Sequence, residues 1–124
     1  MNVKIDTKEK FTVITPIEPE ITANMTVEFP DLLLSYLNNG IPHIVLNLQA
    51  IQYIDEEICK KIAGIQQQFY DNNFSFIICE LQELPEAMLD KLQLLELMNI
   101  TSTESEAWDI VHMEELEREL LNDE

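Results

Sequence analysis

The stretch from Ile44 to Ile62 reads I-V-L-N-L-Q-A-I-Q-Y-I-D-E-E-I-C-K-K-I, and its reading decides the fold. His43 to Leu48 is a compact apolar run, the pattern of a strand buried on both faces in a parallel sheet. A loop follows, and Asp55-Glu56-Glu57 then opens a helix. Asp55 is a residue type that caps helix N-termini. Acids in the first turn face the positive end of the helix dipole. Ile58, Ile62, Ile65 and Phe69 share one face of that helix, and Asp71-Asn72-Asn73 ends it.

Upstream, Val3-Lys4-Ile5-Asp6-Thr7 alternates apolar and polar, as a half-buried strand does. Lys8-Glu9-Lys10 makes a polar turn into the β-branched and aromatic run Phe11 to Thr15. The short link predicts an antiparallel hairpin, closed off by Pro16 and Pro19. From Thr22 to Asn38 the period becomes helical, with Met25, Phe29, Leu32 and Tyr36 on one face and Leu33 and Leu37 beside them. Pro30 interrupts this stretch, and the continuity of the apolar face predicts a helix kinked near Thr26. Asn39-Gly40 is the stop.

Downstream, Phe74 to Cys79 reads as a second buried strand. A third helix begins at Leu84-Pro85, with Met88, Leu92 and Leu95 on one face and Leu89 beside them. Ile100 to Thr103 suits a short edge strand. A last helix is predicted from about Ser105 towards Leu121, with Trp108, Val111, Leu116 and Leu120 facing inward and residues 122–124 frayed. Strands alternating with helices give parallel crossovers. The expectation is a single α/β domain over 1–124, with a mixed sheet of four to five strands flanked by about four helices. Its core should hold Val13, Phe29, Leu33, Val45, Leu46, Leu48, Ile62, Ile65, Ile77, Ile78, Leu92 and Leu95.

The charge balance narrows the function. The 124 residues hold 24 acids and seven Lys or Arg, a formal charge of −17. That field repels a phosphate backbone and an anionic bilayer, so neither nucleic acid nor membrane is an expected partner. The start of the chain lacks a signal-peptide pattern and no stretch has the length of a membrane span, which predicts a cytoplasmic protein. Cys59 and Cys79 lack metal-ligand spacing and read as reduced core residues. His43 and His112 read as surface or boundary residues, since neither belongs to a zinc pattern. No glycine-rich phosphate loop or nucleophile motif is present, so no cofactor, metal or catalytic residue is expected. Gly64, within a helix, is either a close-packing position or a tolerated one.

The segment quoted first resembles the central part of STAS domains, the family of bacterial anti-sigma factor antagonists and sulfate-transporter tails. There a buried strand leads through a short loop to an apolar-Asp-Ser-Ser-Gly turn that opens a helix. Tyr53-Ile54-Asp55 matches the start of that turn, and the order of elements agrees from Val3 to about Leu120. In partner-switching members the second serine is phosphorylated by a cognate anti-sigma kinase, and phosphate breaks the complex between the two. Here Glu56 and Glu57 stand where the serines would be, and Ile58 stands for the glycine. The resemblance puts Glu57 at the phosphoacceptor position. It puts Thr22 where many members carry an aspartate.

The resemblance implies a bacterial, non-enzymatic protein–protein interaction domain. Its partner would be a regulatory protein such as an anti-sigma kinase-like factor, bound around Thr22, Asp55, Glu56, Glu57, Lys60 and Lys61. Two readings of Glu57 stand side by side. It can act as a fixed, imperfect phosphate mimic that locks one binding state. Alternatively the acids are structural, with Glu56–Lys60 and Glu57–Lys61 as i, i+4 pairs and Asp55 as the cap. A different class of function is an acidic scaffold or decoy that captures a basic partner through its C-terminal half. From Glu80 onward there are fourteen acids against Lys91 and Arg118.

Overall fold

A computed structural model describes residues 2–22, 25 and 27–122. The hairpin forms as β1 (Val3–Thr7) and β2 (Thr12–Pro16), antiparallel, with Val3 opposite Pro16 and Thr7 opposite Thr12. The Lys8 N–H closes the turn on the Phe11 carbonyl at 2.8 Å. A two-residue strand, β3 (Glu20–Ile21), precedes α1 (Glu28–Ser35) and a 3₁₀ turn at Tyr36–Asn38. Then come β4 (Ile44–Asn47), the two-residue β5 (Tyr53–Ile54) and α2 (Glu56–Asp71). The chain ends with β6 (Phe76–Cys79), α3 (Glu83–Lys91), a 3₁₀ turn at Leu95–Leu97 and α4 (Glu104–Asn122).

The main sheet runs β1-β2-β4-β6, antiparallel at the hairpin and parallel thereafter. The expected mixed sheet with four helices is therefore present. Side chains alternate between two faces, as the pleat requires. Ile14, Ile44, Leu46, Phe76 and Ile78 pack on one side with Phe29 and Leu33 of α1, Ile58, Ile62, Ile65 and Phe69 of α2 and Leu89 of α3. Val13, Val45, Ile77 and Cys79 face the other way, onto Ala107 and Val111 of α4. Three helices thus cover one face and α4 covers the other. This double burial is why β6 and the first three residues of β4 read as unbroken apolar runs.

Several expectations need correction. Regular helix α1 starts at Glu28 and carries Pro30 as its third residue, where the missing N–H would have no helical acceptor. Pro30 therefore kinks nothing within α1, and Met25 lies before that helix, partly buried against the core. The part of the prediction that concerned Ala23, Asn24 and Thr26 lies outside the described residues. Leu92 and Leu95 are only partly buried. Helix α3 stops at Lys91, and Gln93 turns the chain with a left-handed φ of 60°, so both leucines leave the helix's inner stripe. Ile100 makes a single parallel bridge to Ile78 rather than a strand.

On α4 the inner contacts come from Ala107, Val111 and partly buried Trp108 and Ile110. Leu116 and Leu120 are 57% and 63% exposed, because the helix outruns the sheet it covers. It extends through Asn122, the first of the three residues expected to fray, and the other two, 123 and 124, lie outside the described residues. Gly64 faces solvent, and a Cβ built there would meet nothing within 4 Å, so it is not a close-packing position.

Candidate functional site

The start of α2 is placed by a small parallel ladder that sequence periodicity did not reveal. Glu20 pairs with Tyr53 and Ile21 with Ile54. The Pro19 carbonyl accepts from the Gln52 and Tyr53 N–H groups at 2.6 and 3.2 Å, and the Ile21 carbonyl accepts from the Asp55 N–H at 2.8 Å. Ile21 and Ile54 are buried on the same side, which fixes the register by the pleat. Tyr53 therefore points outward and is 41% exposed. Thr22 directly follows Ile21 as Asp55 follows Ile54, so the ladder brings these two backbones together.

Asp55 is the last residue in extended geometry and caps α2. Its ψ is 146°, and its Oδ1 accepts from the Glu57 N–H at 3.0 Å. The cap satisfies one orphan donor of the first turn. Ile58 and Cys59 are fully buried behind it, so the helix start is pinned from inside while its acids stay outside. Glu56, Glu57 and Lys60 are exposed; Thr22, Asp55 and Lys61 are partly so. The Lys60 ammonium lies 3.4 Å from the Glu56 carboxylate, the expected i, i+4 pair. Lys61 lies on another flank, in a groove of about 430 Å³ between α1 and α2 that Val27, Pro30, Leu34 and Ile65 also line.

All six expected site residues thus belong to one end of α2 or the strand beside it; Tyr53 is exposed in that strand, and Val27 lines the groove that holds Lys61. Tyr53 was visible in the sequence only as part of the motif. The two-residue ladder that turns it outward is too short to leave a period. Val27, 70% exposed, sits at the N-cap position of α1, which a helix predicted to run through Thr26 concealed.

Elsewhere a buried polar network is engaged in the fold, while Ser75 Oγ, Trp108 Nε1, Glu115 Oε2 and Arg118 Nη1 are buried without a hydrogen-bond partner among the described residues. Gln66, buried, donates to the Phe76 and Asn99 carbonyls at 2.8 and 3.2 Å, and its Oε1 accepts from the Asn99 N–H at 3.0 Å. The Asn99 amide donates to the Tyr70 hydroxyl at 2.7 Å, which donates to Glu114 at 2.9 Å. Burial and the Glu114 carboxylate push the Tyr70 phenol well above its usual range. His43 is half-buried against Phe74, and its Nδ1 accepts from the Ser75 N–H at 3.0 Å. Burial, with Arg118 nearby, pulls its pKa down. Cys59 is pushed up to about 11 by burial and then by Asp55 and Glu56. Cys79 is pushed up to about 12 by burial and then by Glu104 and Glu80. Both remain thiols at neutral pH.

Trp108 is half-buried, meeting Phe11 edge-on at 5.4 Å with the Lys8 ammonium 4.8 Å from its ring centroid. It fastens α4 to the hairpin. Among the described residues no cluster of three His, Cys, Asp or Glu side chains is arranged to hold a metal. No helix among them is long and apolar enough to cross a membrane.

Comparison with known proteins places this architecture. A Thermotoga maritima protein described as an anti-sigma factor antagonist superposes with a TM-score of 0.80 at 22% identity, covering 89% of this chain and 94% of that one. A serine-to-glutamate variant of Moorella thermoacetica RsbS gives 0.74 at 17%, covering 95% and 99%. The anti-sigma factor antagonist SpoIIAA in its unphosphorylated form gives 0.72 at 14%, covering 90% and 96%. At these identities the likeness is one of fold. No curated protein sequence matches the chain. The STAS domain family matches residues 2–107, most of the sequence and all of the sheet, and the chain therefore belongs to the STAS domain family.

Proposed function

We propose that this chain is a non-catalytic protein–protein interaction domain of a bacterial regulatory system, acting in the cytoplasm as a single unit over 1–124. Its partner surface is the start of α2 with Thr22, Asp55, Glu56, Glu57, Lys60 and Lys61, extended by Tyr53. The partner is a regulatory protein such as an anti-sigma kinase-like factor, not nucleic acid or membrane. The observation that carries this reading is how Glu57 is used. The fold engages its backbone N–H through the Asp55 cap and leaves its side chain exposed, four positions after the exposed Tyr53. Exposed aromatics within a polar rim are common anchors of protein interfaces.

In this reading Glu57 occupies the phosphoacceptor position and carries a permanent negative charge there. One charge is less than the ~1.5–2 of a phosphoserine, and it has fewer acceptor oxygens. It nevertheless sits at a helix N-terminus, where negative charge is favourable. The surface is then held in one binding state, the one phosphate would impose. Affinity capture with wild type, Glu57→Ser and Glu57→Ala as baits tests this. A kinase-like regulator whose recovery rises with Glu57→Ser supports the reading; identical recovery by all three baits rejects it.

A second reading rests on α4. Met113, Leu116 and Leu120 are exposed at helical spacing among Glu117 and Glu119, an arrangement suited to a basic amphipathic partner. This is the acidic scaffold or decoy. Neutralising Glu117 and Glu119 should then abolish capture that changes at Glu57 leave intact.

A further inference from the structure

Strand β1 is the outer strand of the main sheet, and its second edge pairs with no strand among the described residues. The hydrogen-bond phase of the hairpin determines what that edge offers. The Ile17 N–H donates to the Asn2 carbonyl and the Lys8 N–H to the Phe11 carbonyl. The hydrogen-bonded pairs of β1 with β2 therefore alternate as Asn2–Ile17, Lys4–Thr15, Asp6–Val13 and Lys8–Phe11. The N–H and C=O groups of Val3, Ile5 and Thr7 point the other way, to the open edge. The strand has no proline and its register is unbroken by a bulge; of the devices that protect an edge it has only charge, one of each sign, in Lys4 and Asp6.

We propose that this edge is a self-association surface, on which a second copy of the chain docks its own β1 antiparallel about a two-fold axis at Ile5. Three features of the edge agree on this register. A two-fold axis at Ile5 sets each residue opposite the one whose number sums with it to ten: Ile5 faces Ile5, Val3 faces Thr7 and Lys4 faces Asp6. The pairs Ile5–Ile5 and Val3–Thr7 are those whose backbone groups point outward, so each pair exchanges two hydrogen bonds. Lys4 and Asp6 then fall in the two non-hydrogen-bonded pairs, where opposed side chains approach most closely, and each pair carries opposite charges. On the other face the two Ile5 side chains meet beside the apolar hollow that Val3, Ile5 and Leu32 line with Glu28. Ile5 is 44% exposed in the single chain.

Charge distribution selects the same edge. Two chains of formal charge −17 repel each other over most of their surfaces. Three of the seven basic residues, Lys4, Lys8 and Lys10, lie in the first ten positions against Asp6 and Glu9, so this segment alone has a net charge of +1. Asp6 already holds Lys8 at 2.8 Å, which leaves Lys4 as the cation presented to a facing Asp6. The contact is isologous, and it closes after two copies because pairing uses up the β1 edge of each.

Sedimentation velocity on the full chain over a concentration series tests the proposal. Wild type should show a monomer–dimer equilibrium. Lys4→Glu and Asp6→Lys each replace two opposite-charge pairs with two like-charge pairs, and each alone should weaken association at least about tenfold. Their equimolar mixture restores both pairs in a heterodimer and should associate as wild type does. As a readout free of substitutions, amide exchange at Val3, Ile5 and Thr7 in wild type should slow as protein concentration rises. A wild type that stays monomeric at every concentration overturns the proposal. So does a mixture that behaves as the sum of its components, or edge amides whose exchange ignores concentration.

Discussion

Two helices of this protein begin with clustered acids, and the fold treats them differently. At the start of α4 the carboxylates are bound into the structure. Glu104 accepts from the Asn47 amide at 3.0 Å, and Glu106 accepts from the Thr103 hydroxyl at 3.1 Å while that hydroxyl oxygen takes the Glu106 N–H. Further along, Glu114 holds Tyr70, and Glu115 lies 3.9 Å from the Lys10 ammonium. At the start of α2 Asp55 serves as a cap, Glu56 meets an exposed lysine, and the Glu57 carboxylate is left on the surface. The same residue types at the same kind of position are a means of assembly in one helix and a surface for display in the other. A count of acids cannot separate these roles; hydrogen-bond partners can.

The sharpest break in this contrast lies within a single turn. Ile58→Ala empties a fully buried site behind the α2 start and should cost about 3 kcal/mol in urea unfolding. Glu57→Ala, one residue away, should change stability by less than about 0.5 kcal/mol. A large loss from Glu57→Ala would make the carboxylate structural. Next in size is Glu114→Ala, which removes the acceptor for Tyr70 in a partly buried network and should cost about 1–2 kcal/mol. Glu117→Ala on the exposed side of the same helix serves as its neutral control. Asp55→Ala should cost about 1 kcal/mol through the lost cap.

A smaller effect concerns His43. Its Nδ1 accepts a backbone N–H, which only an unprotonated Nδ1 can do, and burial holds its folded pKa below the unfolded value of about 6.5. The unfolded state then binds more protons as the pH drops. The stabilisation is fully present above that value and is lost as the pH falls from it through the folded pKa. Unfolding free energies measured across this range should show a slope that His43→Gln flattens.

The sequence made the sheet legible because burial on both faces leaves continuous apolar runs at Ile44–Leu46 and Phe76–Cys79. It made α2 legible because Ile58, Ile62, Ile65 and Phe69 sit on one stripe, all of them buried. Legibility failed where backbone pairing, not side-chain period, sets structure. The Glu20–Ile21 ladder with Tyr53–Ile54 is two residues long. Pro30 was compatible with either a kink or a first turn, and its place was fixed by where α1 could begin. On α4, Leu116 and Leu120 have the right spacing for a buried face, but the helix runs past the sheet that would bury it. At the candidate site, the cap and the Glu56–Lys60 pair followed from residue type and spacing. The outward turn of Tyr53 needed the ladder.

The central claim is that residue 57 lies inside a partner interface and acts there through its charge. It is tested most directly by calorimetric titration of the kinase-like regulator recovered by capture against wild type, Glu57→Ser and Glu57→Ala. The account predicts that removing the charge tightens binding at least about tenfold, or 1.4 kcal/mol, in both variants. Equal affinity for all three proteins would contradict it and leave Glu57 as a solvated residue at a well-capped helix start.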